Sequence, residues 1–139
     1  MNCYLDSSVA LEWILHSKNV KPISLKKVEN IVSSELIEIE CNRVLERYRL
    51  QGLLDDNTVS ESKKKLKSLL ESVALIEITE KIKKRAKESF PTIIGTLDAI
   101  HLSSALLWAQ ELGKPLILLT RDREMKLCSE AMGIDVLGM

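Results

Sequence analysis

Gly95-Thr96-Leu97-Asp98-Ala99-Ile100-His101-Leu102-Ser103-Ser104-Ala105 is the stretch from which the rest of the chain is best read. It predicts a helix from about 97 to 112, with Thr96 as its N-cap and Gly113 as its stop. Asp98 falls in the first turn, where the positive end of the helix dipole suits an acid. Beyond it the helix is almost wholly apolar. A carboxylate set beside so much apolar surface is costly to bury unless something offsets its charge.

On the C-terminal side, Pro115 to Leu119 reads as a buried strand. Thr120-Arg121-Asp122 then leads into a helix to about Met132. Gly133 breaks that helix, and Ile134 to Leu137 reads as a last strand. On the N-terminal side, Asn2 to Leu5 is an apolar strand ending at Asp6, and Ser7 or Ser8 caps a helix over about 8–16. Residues 17–29, with Pro22, read as a loop containing a short helix at 25–29. Asn30 to Ser33 suits a strand. Ser34 caps a helix to about Gln51, stopped by Gly52, and Asp55 or Asp56 starts another to about 72. Val73 to Ile78 is a β-branched run, and Thr79 caps a lysine-rich helix that Phe90-Pro91 ends. Strands alternating with helices predict an α/β fold, a parallel sheet of about five strands with helices on both faces. Residues 1–139 read as one domain, without linker or repeat.

The bulk composition is that of a folded chain: 45% hydrophobic, 29% charged, formal net charge zero. Any nucleic-acid footprint must therefore be local. No apolar run is long enough for a membrane span, and MNCYLDSS lacks the build of a signal peptide. Cys3, Cys41 and Cys128 are odd in number and widely spaced, which fits reduced thiols in the cytoplasm rather than a disulfide framework or a CxxC metal site. Two histidines, His16 and His101, argue against a histidine zinc site. GxGxxG and GxxxxGK[ST] are absent, which argues against dinucleotide and ATP enzymes.

In open α/β sheets, sites form at the C-terminal ends of strands. Four acids fall where that edge would gather them. Asp6 ends the first strand, Glu40 lies two turns into the helix after the second, Asp98 heads the helix before the fourth, and Asp122 lies three residues past the fourth. Carboxylates gathered this closely repel, and some stay protonated without a cation. Mg²⁺ takes oxygen ligands, needing one or two direct carboxylates plus water. The chemistry that pattern suggests is metal-assisted phosphodiester hydrolysis. Each acid also has a bland reading: Asp98 and Asp122 as caps, Glu40 as a solvated helix position.

YLDSSV at 4–9, SSELIEIECNRVL at 33–45, LDAIHLSSAL at 97–106 and LLTRDREM at 118–125 resemble, in order, the motifs of PIN-domain nucleases, above all the VapC-type toxins of toxin–antitoxin pairs. The resemblance implies a three-layer α/β/α fold and an endoribonuclease dependent on Mg²⁺ or Mn²⁺. It places the catalytic acids at Asp6, Glu40, Asp98 and Asp122, with Asp6, Asp98 and Asp122 holding the metal and Glu40 serving the attacking water. Ser7 and Thr120 take the positions of supporting hydroxyls. Water would attack phosphorus, leaving a 5′-phosphate and a 3′-hydroxyl. The implied partners are RNA, a VapB-like antitoxin and a second copy of the chain in a homodimer, with no membrane.

Other residues carry two readings. Arg43 lies one turn after Glu40 and suits an ion pair with it or a contact to substrate phosphate. His101 lies one turn after Asp98, and a hydrogen-bonded core histidine is favoured over a general acid. The lysine runs 63–67 and 81–87 read as solvated faces. The second carries a local excess, with five positive and two negative side chains over residues 79–91, and could flank an RNA site. Trp13 and Trp108 read as core or interface. Leu50, Leu53, Leu54, Leu69 and Leu70 in the hairpin 34–72 either complete the core or meet a partner helix. Two further functions compete. An aspartyl-phosphate phosphohydrolase would want an acid where Ser8 stands, and a non-catalytic PIN-like binding module would not need all four acids.

Overall fold

The computed structural model describes residues 1–15 and 28–137. Its elements are β1 (Asn2–Leu5), α1 (Ser7–Leu15), β2 (Asn30–Ser34), α2 (Leu36–Leu50), α3 (Asp56–Glu71), β3 (Ala74–Ile76), α4 (Glu80–Ala86), α5 (Thr96–Leu112), β4 (Leu116–Leu119), α6 (Arg123–Ala131) and β5 (Asp135–Leu137). The five strands form one parallel sheet in the order β3-β2-β1-β4-β5. Helices cover both faces, which gives the three-layer α/β/α arrangement. The loop expected at 17–29 lies, through residue 27, outside the described residues. Val28 and Glu29 are described and are not helical.

The pleat explains how one short strand serves both layers. Successive side chains of a strand point to opposite faces. Tyr4 on β1 is in register with Val32 on β2 and Leu118 on β4, and all three pack with Leu102 and Ala105 of α5 and Met125 and Cys128 of α6. Cys3 and Leu5 point the other way, toward Val9, Ala10 and Ile14 of α1, Ile37, Cys41 and Leu45 of α2, and Val59 and Leu66 of α3. β4 is apolar at every position because both its faces are covered. Each fully buried side chain of this kind contributes about 1.5–3 kcal/mol relative to exposure.

Helix starts differ from the sequence reading at three places. α1 already contains Ser7 and Ser8, and the backbone carbonyl of Asp6 accepts from Val9 N–H and Ala10 N–H, so the cap position is Asp6. α2 begins after Glu35, not Ser34. Ser34 is taken into β2, and its Oγ accepts from Leu36 N–H at 3.2 Å. α5 is capped by Gly95 in extended conformation (φ −73°, ψ 169°), with no side-chain cap bond, and Thr96 is already helical. The caps at Asp55, Thr79 and Asp122 form as expected, each accepting from the backbone N–H three residues on. Gly113 closes α5 in the left-handed region, φ 67°, which favours glycine. β3 is shorter than its β-branched run because its ladder meets only Val32–Ser34 of β2.

Candidate functional site

The chain leaves β1 for α1 on one face of the sheet and leaves β4 for α6 on the other. The two strands are neighbours, so their C-terminal ends flank the crevice where the strand order switches direction. Asp6 follows β1 directly, and its N–H donates to Leu119 O of β4 at 2.9 Å. Asp122 lies on the β4 side as N-cap of α6. α5 runs against the strands, so its N-terminal turn brings Asp98 to the same edge. Glu40 arrives from the second turn of α2.

Asp6 is buried, 4% exposed. Its Oδ2 accepts from Ser8 Oγ at 2.6 Å and Thr120 Oγ1 at 2.8 Å. Those hydroxyls are held in turn. Arg121 N–H donates to Ser8 Oγ at 2.9 Å, and Asp122 N–H donates to Thr120 Oγ1 at 3.0 Å. The backbone of the TRD segment thus fixes both donors to Asp6. Asp122 Oδ1 accepts from Met125 N–H at 3.0 Å. The Arg121 guanidinium makes a two-bond pair with Glu12 of α1, at 2.6 and 2.8 Å, which locks this segment onto α1.

Asp98 shows what the gathering of acids does. Its carboxyl is pushed up from 3.8 to about 6, first by burial, then by the charges of Asp122 and Asp6, with a smaller push from Glu40. The His101 ring opposes this. The four acids are thus near enough for the other three to act on Asp98. Among the described residues, however, no three ligating side chains converge as a ready-made metal cluster.

Glu40 and His101 are joined. The His101 ring is fully buried, its Nε2 hydrogen-bonds Glu40 Oε1, and its Nδ1 meets Tyr4 Oη at 2.7 Å. Burial, the largest single influence, pushes the His101 pKa down. The hydrogen bond and charge of Glu40, with the charges of Asp6 and Asp98, outweigh it and leave the ring raised. His101 is thus the hydrogen-bonded core histidine that its apolar helix face predicts.

The PIN-domain family model matches residues 3–129. This chain belongs to the PIN-domain family. Its fold is similar to VapBC2 from Rickettsia felis bound to a promoter DNA fragment, with 16% identity and TM-score 0.65, covering 99% of this chain and 98% of that one. It is also similar to PAE2754 from Pyrobaculum aerophilum, with 21% identity and TM-score 0.60, covering 98% and 83%. A third similar structure is a toxin–antitoxin complex from Klebsiella pneumoniae, with 16% identity and TM-score 0.56, covering 90% of each chain. No curated protein sequence matches.

Within this PIN domain Thr120 lies beside Asp6 and donates to it. Ser7 opens α1, and of the two serines that follow Asp6 it is Ser8 whose hydroxyl donates to it. The signal for Ser8 was present as a hydroxyl two residues after a strand-end acid, but a helix cap explains such a residue equally well. Glu40 pairs with His101, not with Arg43, which is exposed. The lysine runs are partly engaged: Lys63 pairs with Glu46 at 2.7 Å, Lys83 with Glu80 at 3.1 Å, and Arg85 lies 4.4 Å over the Phe90 ring. Trp13 and Trp108 pack against the two cores. Leu54, Leu69 and Leu70 complete the α1–α3 core, while Leu50 and Leu53 are exposed at 86% and 66%. The three cysteines are buried and unbridged, and burial, then the charges of Glu40 and Asp6, push the Cys41 thiol up to about 12. Among the described residues no helix is long and apolar enough to cross a membrane.

Proposed function

We propose that this PIN domain, a single unit over residues 1–139, is a metal-dependent endoribonuclease and the toxin of a VapBC-type pair. The observation that carries the reading is the strand-end crevice between β1 and β4, where Asp6, held by Ser8 and Thr120, and Asp122, the cap of α6, come near enough for their charges to act on Asp98. Oxygen donors that disfavour one another's charge suit a hard divalent ion, which needs few direct carboxylates and keeps water on its other positions. Asp6, Asp98 and Asp122 are the residues that would hold Mg²⁺ or Mn²⁺. The ion would supply a more acidic water and charge compensation at phosphorus.

The chain's own groups have distinct tasks on this reading. Ser8 and Thr120 hold the Asp6 carboxylate in one rotamer. Glu40 accepts the proton of the attacking water as general base. Ser7, next to Asp6, and the exposed Arg43 contact substrate phosphate. The products are a 5′-phosphate and a 3′-hydroxyl. The fold likeness to two toxin–antitoxin structures supports a VapB-like antitoxin as partner; a homodimer working in the cytoplasm belongs to the same reading. Leu50 and Leu53 at the α2–α3 corner offer that antitoxin an apolar anchor.

The test is cleavage of structured RNAs by the purified chain with Mg²⁺ or Mn²⁺, with EDTA, and by Asp6→Asn and Asp98→Asn. Cleavage that needs the ion and both acids is the expected result. Cleavage surviving chelation or both substitutions overturns the reading.

A further inference from the structure

The acids above account for proton transfer and charge, but not for what holds Glu40 steady. Glu40 is on α2, in the layer over one face of the sheet. His101 is on α5, in the layer over the other, and Tyr4 is in the central strand between them. The chain Tyr4 Oη–His101 Nδ1/Nε2–Glu40 Oε1 therefore passes over the C-terminal edge of the sheet and ties all three layers at the site. His101 has no exposed surface, and its ring stands edge-on to Tyr4, 80° between planes with centroids 5.8 Å apart. Packing leaves such a ring little freedom to turn. Glu40 Oε1 is committed to it, while the Glu40 side chain keeps 14% exposure.

The geometry points to His101 as a positioning residue: seated on Tyr4, it holds Glu40 Oε1 so that Oε2 alone is presented to the attacking water. This rests on the nuclease reading and adds to it which oxygen does the work and what aims it. Tyr4 is held as a phenol, because burial drives its pKa far above the ordinary value. When the ring is neutral, Tyr4 O–H donates to Nδ1 and Nε2–H donates to Glu40. Either protonation state of the ring keeps a donor on Glu40. A carboxylate on a surface helix would otherwise sample several rotamers, and a base displaced by about 1 Å loses roughly a hundredfold in rate.

Three variants separate aiming from mere packing. His101→Leu fills the space and removes both bonds. His101→Gln can still reach Glu40 through its terminal amide. Tyr4→Phe removes only the seat. On the RNA that the native chain cleaves, His101→Leu is expected to lower kcat by about 10- to 100-fold, the range for lost outer partners of a metal site, with KM within about threefold. His101→Gln recovers most of this, and Tyr4→Phe loses only a few-fold. A folded His101→Leu with native kcat, or a His101→Gln as poor as His101→Leu, overturns the inference. A second measurement does not need turnover. In ¹H–¹⁵N spectra of the metal-free chain, the Nε2–H of His101 should appear as a slowly exchanging proton that moves upfield in Glu40→Gln and stays put in Arg43→Ala. Its absence, or its indifference to Glu40→Gln, removes the strut whatever the activity. A native chain that cleaves no RNA but shows this proton refutes the nuclease reading while the strut stands.

Discussion

At the scale of single residues, Asp98 and Thr120 show opposite ways of keeping an acid in a buried site. Asp98 titrates near 6 in the folded chain against 3.8 ordinarily. It therefore binds its proton more tightly when folded, and supports the fold fully below about pH 4. That support is lost as the pH rises through 6. Without divalent ions, Asp98→Asn should melt a few degrees above the native chain at pH 7 and no higher at pH 4. Adding Mg²⁺ at pH 7 should raise the native melting temperature and leave the variant unmoved. Equal melting of the two proteins at both pH values contradicts this. Thr120 works by hydrogen bonding: it donates to Asp6 and accepts from Asp122 N–H, with no exposed surface. Thr120→Val should cost about 1–3 kcal/mol in urea unfolding, and Thr120→Ser much less. The nearness of Asp6, Glu40 and Asp122 to Asp98 followed from the strand-end rule, although Asp122 also caps α6 as its bland reading expected. The companions of these acids were not legible. Glu40 and Tyr4 lie 61 and 97 positions from His101, and no local pattern records a partner at that distance.

At the scale of elements, most helix starts were legible to about a residue because their caps have side-chain chemistry, whereas α4 stops at Ala86, short of the Phe90-Pro91 expected to end it. Asp55, Thr79 and Asp122 each bond the third N–H on. One exception is instructive. Thr96 carries the hydroxyl a cap needs, yet Gly95 takes the position and leaves α5 without a side-chain cap bond. Gly95 has a negative φ, and a Cβ added there meets nothing within 4 Å. Gly95→Ser should therefore stabilise the chain by roughly 0.5–1 kcal/mol, through a new cap bond and a less mobile unfolded chain. Thr79→Ala, which removes an existing cap from α4, should cost about 1 kcal/mol. Denaturant midpoints of the two variants, moving in opposite directions, check both. β3 was overestimated because β-branched residues mark where a strand can form, whereas its length is set by the partner ladder.

At the scale of the whole molecule, alternation of strands and helices foretold a parallel sheet, but the order β3-β2-β1-β4-β5 was not in it. Any order that keeps the crossovers right-handed satisfies the same pattern. The charge balance was visible from composition, and its consequence depends on the pairings. The chain carries as many acids as bases, and Lys63, Lys83 and Arg121 are each paired to an acid, so these three offer phosphates little net charge. RNA binding by a non-cleaving Asp98→Asn chain should therefore weaken only gently with salt. Its log–log slope between 50 and 200 mM should be shallower than about −3, as for about four phosphates or fewer. Fluorescence anisotropy on a short single strand gives the slope, and a steeper value contradicts this expectation.

The strand order has one more consequence, for synthesis. β1 is made first and lies at the centre of the sheet, yet its neighbour β4 emerges only after residue 115. Until then β1 keeps an open edge, a ready template for a neighbouring chain. Asp122 comes later still, so the set of Asp6, Glu40, Asp98 and Asp122 is complete only after β4 has been made. A chain broken off before residue 115 keeps that open edge and lacks Asp122, so closure of the central strand and completion of the acid set come together.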